Sequence, residues 1–66
     1  MKGHFAKFED RWVIRVASHM TREKLEPGSI ATVTKKSGEV LDFELGQIVS
    51  TDTRGNVLFE IERTVL

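Results

Sequence analysis

The segment from Pro27 to Val49 constrains the fold more than any other part of the chain. Apolar and polar residues alternate from residue 30 to residue 34, the alternation stops at the turn sequence KKSGE, and it resumes from residue 40. Alternation with a period of two is typical of β-strands that bury one face, and a glycine-containing break between two such runs is typical of a hairpin. The segment therefore predicts a β-hairpin and an all-β fold.

The register of this hairpin follows from the requirement that its apolar side chains share one face, because a slip of one residue moves each of them to the other face. A three-residue loop from Lys36 to Gly38 meets the requirement and places Gly38 at the left-handed position of a bulged turn. Lys35 then lies opposite Glu39, and opposite charges attract across strands. The same register pairs two sets of apolar residues, Ala31 with Phe43 and Val33 with Leu41.

Two more segments alternate as strands, Arg11 to Ala17 and Val57 to Thr64, and Gly46 predicts a bend in the strand that follows the hairpin turn. Four to five short antiparallel strands with such a bend favour a single small barrel of the SH3-like or OB-like kind, spanning residues 1–66. Residues 1–10 form either a flexible arm or a short first strand. An open sheet that dimerises through its exposed face is the alternative architecture.

Residues 18–26 lose the alternation, gain helix formers and stop at Pro27-Gly28, with the helical turn expected near residues 20–26. This segment predicts one short helical turn, with Met20 and Leu25 turned inward. In the strands, three aromatic residues are predicted to lie in the core, Trp12, Phe43 and Phe59. Four apolar residues fall on nominal outer faces and either turn inward with the curvature of the barrel or form an exposed patch, namely Val13, Val40, Ile48 and Leu58.

The composition limits the classes of function. The chain of 66 residues has no cysteine, which removes disulfides and thiolate metal sites and fits a reducing cytoplasm. It lacks an apolar run of about 20 residues, so no contact with a membrane is expected. Its 10 basic and 10 acidic residues balance, but residues 1–24 carry six basic against three acidic side chains, and residues 25–66 carry four against seven. This split favours basic and acidic strands that pair their charges across the solvent face of the sheet. The alternative is a surface with a basic side for an anionic partner and an acidic side.

Catalytic and metal chemistry find little support in the residue pattern. His4 and His19 lie fifteen positions apart without local ligand spacing, and Ser18, His19 and Asp10 lack the surroundings that a catalytic triad needs. No glycine-rich phosphate loop is present. We therefore expect a non-enzymatic binding module without a cofactor, a metal or a small-molecule substrate.

Single-stranded DNA or RNA is the ligand that the basic first half favours, since small barrels bind single strands by stacking bases on exposed aromatic rings beside cations. Trp12 is an aromatic candidate, although core packing is favoured for it. The predicted nucleic-acid-binding residues are Lys2, Phe5, Lys7, Phe8, Arg11, Arg15, Lys35, Lys36 and Arg54.

A family resemblance points the same way. Four segments, 12–16, 25–28, 31–38 and 45–49, resemble a small β module that recurs in phage, plasmid and bacterial proteins as a strand with Trp, a Pro-Gly turn, a Val-Thr-rich strand and a Gly turn. The resemblance covers about residues 11–60 and implies a module that occurs alone or beside nucleic-acid-processing domains. The alternative function is a protein-binding accessory or inhibitor from a mobile element, acting through a strand edge or apolar patch, or as a homodimer.

Overall fold

The computed structural model describes residues 1–22 and 24–65, apart from the side chain of Met20. Five strands close into a small barrel in the order β1-β2-β5-β4-β3. All neighbouring strands are antiparallel except β1 and β3, which run parallel and close the barrel. The all-β barrel of the SH3-like or OB-like kind is thus confirmed. The strands are β1 (Lys2–Phe8), β2 (Arg11–Ala17), β3 (Ile30–Thr34), β4 (Val40–Thr51) and β5 (Asn56–Val65).

The N-terminal segment forms a full strand rather than an arm. β1 is seven residues long and pairs with β2 along five of them, from His4 to Phe8, and the pair Phe8 and Arg11 leaves only Glu9 and Asp10 in the turn. Both turn residues have positive φ angles, 50° and 64°, which is the geometry of a two-residue turn that matches the twist of its strands. The β1–β2 hairpin, residues 2–17, is therefore continuous with the rest of the barrel.

The predicted register of the β3–β4 hairpin is confirmed. Ala31 lies opposite Phe43 and Val33 opposite Leu41. Gly38 has a φ of 93°, and the Lys35 ammonium lies 3.3 Å from the Glu39 carboxylate. The predicted bend is also present, because the register between β4 and β5 shifts on both sides of Gly46.

The helical turn lies earlier than predicted. A 3₁₀ turn spans Ser18–Met20, directly after β2, and no helix forms among residues 24–29. The backbone N–H of Ser18 donates to the carbonyl of Gly55, which ties this turn to the β4–β5 connection. Leu25 packs against the core as predicted, whereas the prediction for the Met20 side chain lies outside the described residues.

The core is a cluster of seven buried residues, Ile14, Val16, Ala31, Val33, Phe43, Leu45 and Phe59. Phe43 and Phe59 lie in it as predicted, but the prediction for Trp12 is wrong, since 58% of this residue is exposed. Trp12 shares the inner face with Ile14, but the ladder between β2 and β5 begins only at Ile14, so Trp12 lies at the open end of the barrel. Of the four nominal outer residues, Val13 is buried, Leu58 is half-buried, and Val40 and Ile48 are exposed.

Gly3 closes the barrel at the β1–β3 contact, where it lies opposite Val33. A Cβ added at Gly3 would lie 2.6 Å from Cγ2 of Ile14 and 3.3 Å from Cβ of Ala31. We expect Gly3→Ala to lower the free energy of unfolding by about 1–3 kcal/mol, because overpacking forces a core shift. Urea unfolding followed by circular dichroism measures the change, with Lys2→Ala as the exposed control; an unchanged midpoint for Gly3→Ala would contradict the packing described.

Candidate nucleic-acid interface

An apolar groove of about 300 Å³ opens at the end of the barrel that carries the β1–β2 turn. Four side chains line this mouth groove, Phe5 of β1, Trp12 of β2, Phe43 of β4 and Ile61 of β5. The groove exists because the strands separate above the core: β1 and β2 stay paired as far as Phe8 and Arg11, whereas the β2–β5 ladder ends at Ile14. The tip of the β1–β2 hairpin thus forms one wall, and β4 and β5 form the other.

Phe5 fixes the position of the other two rings. Its ring centroid lies 6.1 Å from that of Trp12 and 5.4 Å from that of Phe43, with an interplanar angle of 69° in each case. Such edge-to-face contacts are the favoured arrangement of aromatic pairs. Phe43 is only 6% exposed, so Trp12 supplies most of the accessible aromatic surface.

Lys7 places a cation on this surface. It lies directly opposite Trp12 in the β1–β2 ladder, and its ammonium is 4.8 Å from the centroid of the indole ring. A cation within about 6 Å of an aromatic face is attracted by the ring, by about 0.5–1 kcal/mol at exposed sites. The Lys7 ammonium therefore already lies against the Trp12 ring in the absence of any ligand.

The charges divide between two pairs of strands, as the charge split of the sequence predicts. The strands β1 and β2 carry four cations, Lys2, Lys7, Arg11 and Arg15, and no acidic residue. The strands β4 and β5 carry four carboxylates and one cation, Asp42, Glu44, Glu60, Glu62 and Arg63.

Ion pairs neutralise part of both sets. Arg11 donates to Glu60 at 3.0 Å across the gap between β2 and β5, and Arg63 donates to Glu44 at 2.7 Å. The β1–β2 hairpin therefore offers Lys2, Lys7 and Arg15 as its cations outside these pairs.

The nine predicted residues occupy several parts of the barrel. Phe5 and Lys7 lie at the mouth groove, and Arg11 lies beside it in its ion pair. Phe8 is half-buried and does not line the groove. The β3–β4 turn with Lys35 and Lys36 lies at the same end as the groove, because β1 and β3 run parallel. Away from the mouth lie Lys2 and Arg15 on the β1–β2 strands and Arg54 in the β4–β5 turn.

Two residues that line the groove, Phe43 and Ile61, were not predicted as site residues from the sequence. Trp12 was predicted to lie in the core. Phe43 and Ile61 alternate correctly as core residues, and no local signal marks them as groove residues. For Trp12 a signal was present, since it is the second residue after a turn and therefore lies at the end of a strand.

The β4–β5 turn that carries Arg54 is organised by Asp52. Its carboxylate accepts hydrogen bonds from the Asn56 side chain, the Asn56 backbone and the Arg54 backbone, each at 2.9 Å. The bond from the Asn56 side chain, followed by the one from the Asn56 backbone, lowers the pKa of Asp52 below its usual value. Because the folded-state pKa is lowered, the charged carboxylate stabilises the fold above the unfolded pKa, and this contribution is lost as the pH falls through the folded pKa.

We therefore expect Asp52→Ala to lower the melting temperature at neutral pH, with the difference from the parent chain shrinking below about pH 4. Melting curves between about pH 7 and pH 2.5 measure the effect. Glu62→Gln, which removes an exposed carboxylate of β5, serves as the control. A difference between Asp52→Ala and the parent that stays constant down to the lowest pH would show that the Asp52 charge does not stabilise the turn.

No group of three or more His, Cys, Asp or Glu side chains that could hold a metal ion occurs within residues 1–22 and 24–65. His4 pairs with Arg15 in the β1–β2 ladder, and His19 is exposed in the 3₁₀ turn. In the part of the chain that the structure describes, no helix is long and apolar enough to cross a membrane.

Comparisons with protein-family models, with curated proteins and with solved structures found no match to this chain. The resemblance to a module of phage, plasmid and bacterial proteins therefore stays a prediction.

Proposed function

We propose that this chain is a non-enzymatic module that binds single-stranded DNA or RNA along the β1–β2 hairpin, with a base against Trp12. The observation that carries the proposal is the exposed Trp12 ring, which lies in an aromatic groove on a hairpin whose strands bear four cations and no anion. Stacking on an aromatic ring contributes about 1–3 kcal/mol per base, and the cations hold the phosphates. Aromatic surface and positive charge thus occur on the same two strands.

The number of cations sets the expected dependence on salt. With Lys2, Lys7 and Arg15 each neutralising one phosphate, the logarithm of the affinity falls with the logarithm of the salt concentration with a slope of about −2. A change from about 50 mM to about 200 mM salt should then weaken binding roughly 20-fold. A salt dependence this small agrees with a chain of zero formal net charge.

The test is fluorescence anisotropy of labelled oligo(dT) and oligo(U) at these two salt concentrations. The variant Lys2→Glu/Arg15→Glu should lose binding. A matched variant, Arg22→Glu/Lys24→Glu, makes the same change in net charge in the loop after the 3₁₀ turn. It should keep most of the affinity of the parent chain. Absence of binding by the parent chain at the lower salt concentration would contradict the proposal. An equal loss of affinity in the two variants would show that the β1–β2 hairpin is not the binding surface.

One observation favours a second candidate, a protein partner. The C-terminal half of β5, Glu60 to Val65, pairs with β4. Among the described residues, the ladder between β2 and β5 ends at Phe59, so the other edge of this segment has no strand beside it. An exposed strand edge is a template for another strand, from a foreign protein or from a second copy of this chain. Sedimentation equilibrium tests the homodimer: a monomer at about 100 μM would contradict it, and a dimer that dissociates when Lys replaces Val65 would support it.

A further inference from the structure

The mouth groove offers almost nothing with which to recognise the edge of a base. Of its four lining side chains, Phe5, Phe43 and Ile61 are hydrocarbon, and Trp12 adds a single N–H donor. Sequence is read through hydrogen bonds to base edges, with bidentate pairs from Arg, Asn or Gln as the effective contacts. The groove therefore has the means to bind the face of a base and lacks the means to distinguish one base from another.

Lys7 occupies the surface that a base would use. Its ammonium lies 4.8 Å from the ring centroid of Trp12, so a stacked base must displace it. Lys7 is exposed and its side chain is long and flexible, so it can leave the ring and still reach a phosphate beside the stacked base. The contact with Trp12 is weak enough, at exposed sites, for stacking to replace it.

The geometry also limits the number of bases. Phe5 is half-buried and makes edge-to-face contacts with both neighbouring rings, and Phe43 is nearly buried, so Trp12 presents the most exposed ring of the groove. The groove has a volume of about 300 Å³, and the two other rings that line it, Phe5 and Phe43, are packed against each other with centroids 5.4 Å apart. One base for each copy of the chain is the capacity that follows.

We infer that the mouth groove takes one unpaired nucleobase of any identity by its face, with Lys7 moving from the Trp12 ring to the adjoining phosphate. This inference rests on the proposed function and names what the site selects: an unstacked base, without preference for sequence or for DNA over RNA. The four side chains that line the groove offer a 2′-hydroxyl one donor, the Trp12 N–H, and no acceptor.

The experiment compares labelled 12-mers of dT, dC, dA and U with a 12-mer of the same length in which every nucleotide is abasic. The abasic strand keeps all its phosphates and loses every base. We expect the four normal strands to bind within about fivefold of one another, since only stacking strength differs among them. The abasic strand should bind roughly 10- to 100-fold more weakly, and Trp12→Ala should bind normal and abasic strands alike.

The outcomes separate this inference from the proposed function. If no strand binds, the proposed function fails and the inference fails with it. If one normal strand binds more than about tenfold better than the others, the site reads base edges, and the inference is overturned while the function holds. If the abasic strand binds as well as the normal ones, the phosphates alone are recognised, which overturns the inference and the contact of a base with Trp12, and leaves only the binding of single strands by the β1–β2 hairpin.

Discussion

Replacement of Phe59 by alanine should bring the chain close to its unfolding transition at 25 °C. Phe59 is completely buried at the centre of the core cluster, and it lies opposite Ile14 of β2 and Ile48 of β4. Loss of a buried Phe side chain costs about 3–5 kcal/mol. Whole domains are stable by about 5–15 kcal/mol, and a chain this short falls at the low end because it buries a smaller fraction of its surface than a larger domain does, about 60%. The substitution therefore removes most of the free energy of unfolding.

Urea unfolding followed by circular dichroism measures this effect, and Phe59→Leu, which keeps much of the volume, should give a folded chain with a lower midpoint. Ile48→Ala is the matched control, because Ile48 lies opposite Phe59 but is 44% exposed. It should change the free energy of unfolding by less than about 1 kcal/mol. A midpoint for Phe59→Ala close to that of the parent would contradict the core described for this barrel.

Replacement of Trp12 by alanine should weaken the binding of single-stranded oligonucleotides roughly 10- to 100-fold, because it removes the stacking surface. The fold should survive, since Trp12 is more than half exposed and lies outside the core cluster. Anisotropy with labelled oligo(dT) measures the affinity, and circular dichroism checks the fold.

Two variants make this result specific to the groove. Trp12→Phe keeps an aromatic ring and should retain most of the affinity. Ile48→Ala removes an exposed apolar side chain that does not line the groove and should bind like the parent chain. Unchanged affinity in Trp12→Ala would exclude the mouth groove as the binding site, even if the chain binds nucleic acid elsewhere.

The β3–β4 hairpin was predictable because the alternation of its strands and the residues of its turn indicate the same register. The alternation fixed which side chains share a face, and Gly38 fitted the left-handed position that the three-residue loop requires. The bend at Gly46 followed for a similar reason, because a glycine inside a strand usually marks a bulge or a sharp bend. Local chemistry was sufficient in both cases.

The β1–β2 hairpin was harder to predict because its turn lacks the usual signal. Glu9 and Asp10 adopt positive φ angles without a glycine. The strand before them, β1, pairs with both β2 and β3, and this pairing fixes the position of the turn. The exposure of Trp12 depends on how far the β2–β5 ladder extends, which the residues of β2 do not encode on their own. The alternation predicted correctly that Trp12 lies on the inner face of β2. Its position at the open end of the barrel depends on the pairing between β2 and β5.

The intrinsic fluorescence of Trp12 tests the central proposal most directly. Trp12 is the only tryptophan in the chain and lies in the mouth groove, so its emission reports on that groove alone. Titration with unlabelled oligo(dT) at about 50 mM salt should quench the emission to saturation, with the same midpoint as the anisotropy of labelled strands, and added salt should reverse the quenching. Binding seen by anisotropy with no change in Trp12 emission, or no binding at all, would contradict the proposal that a base stacks in this groove.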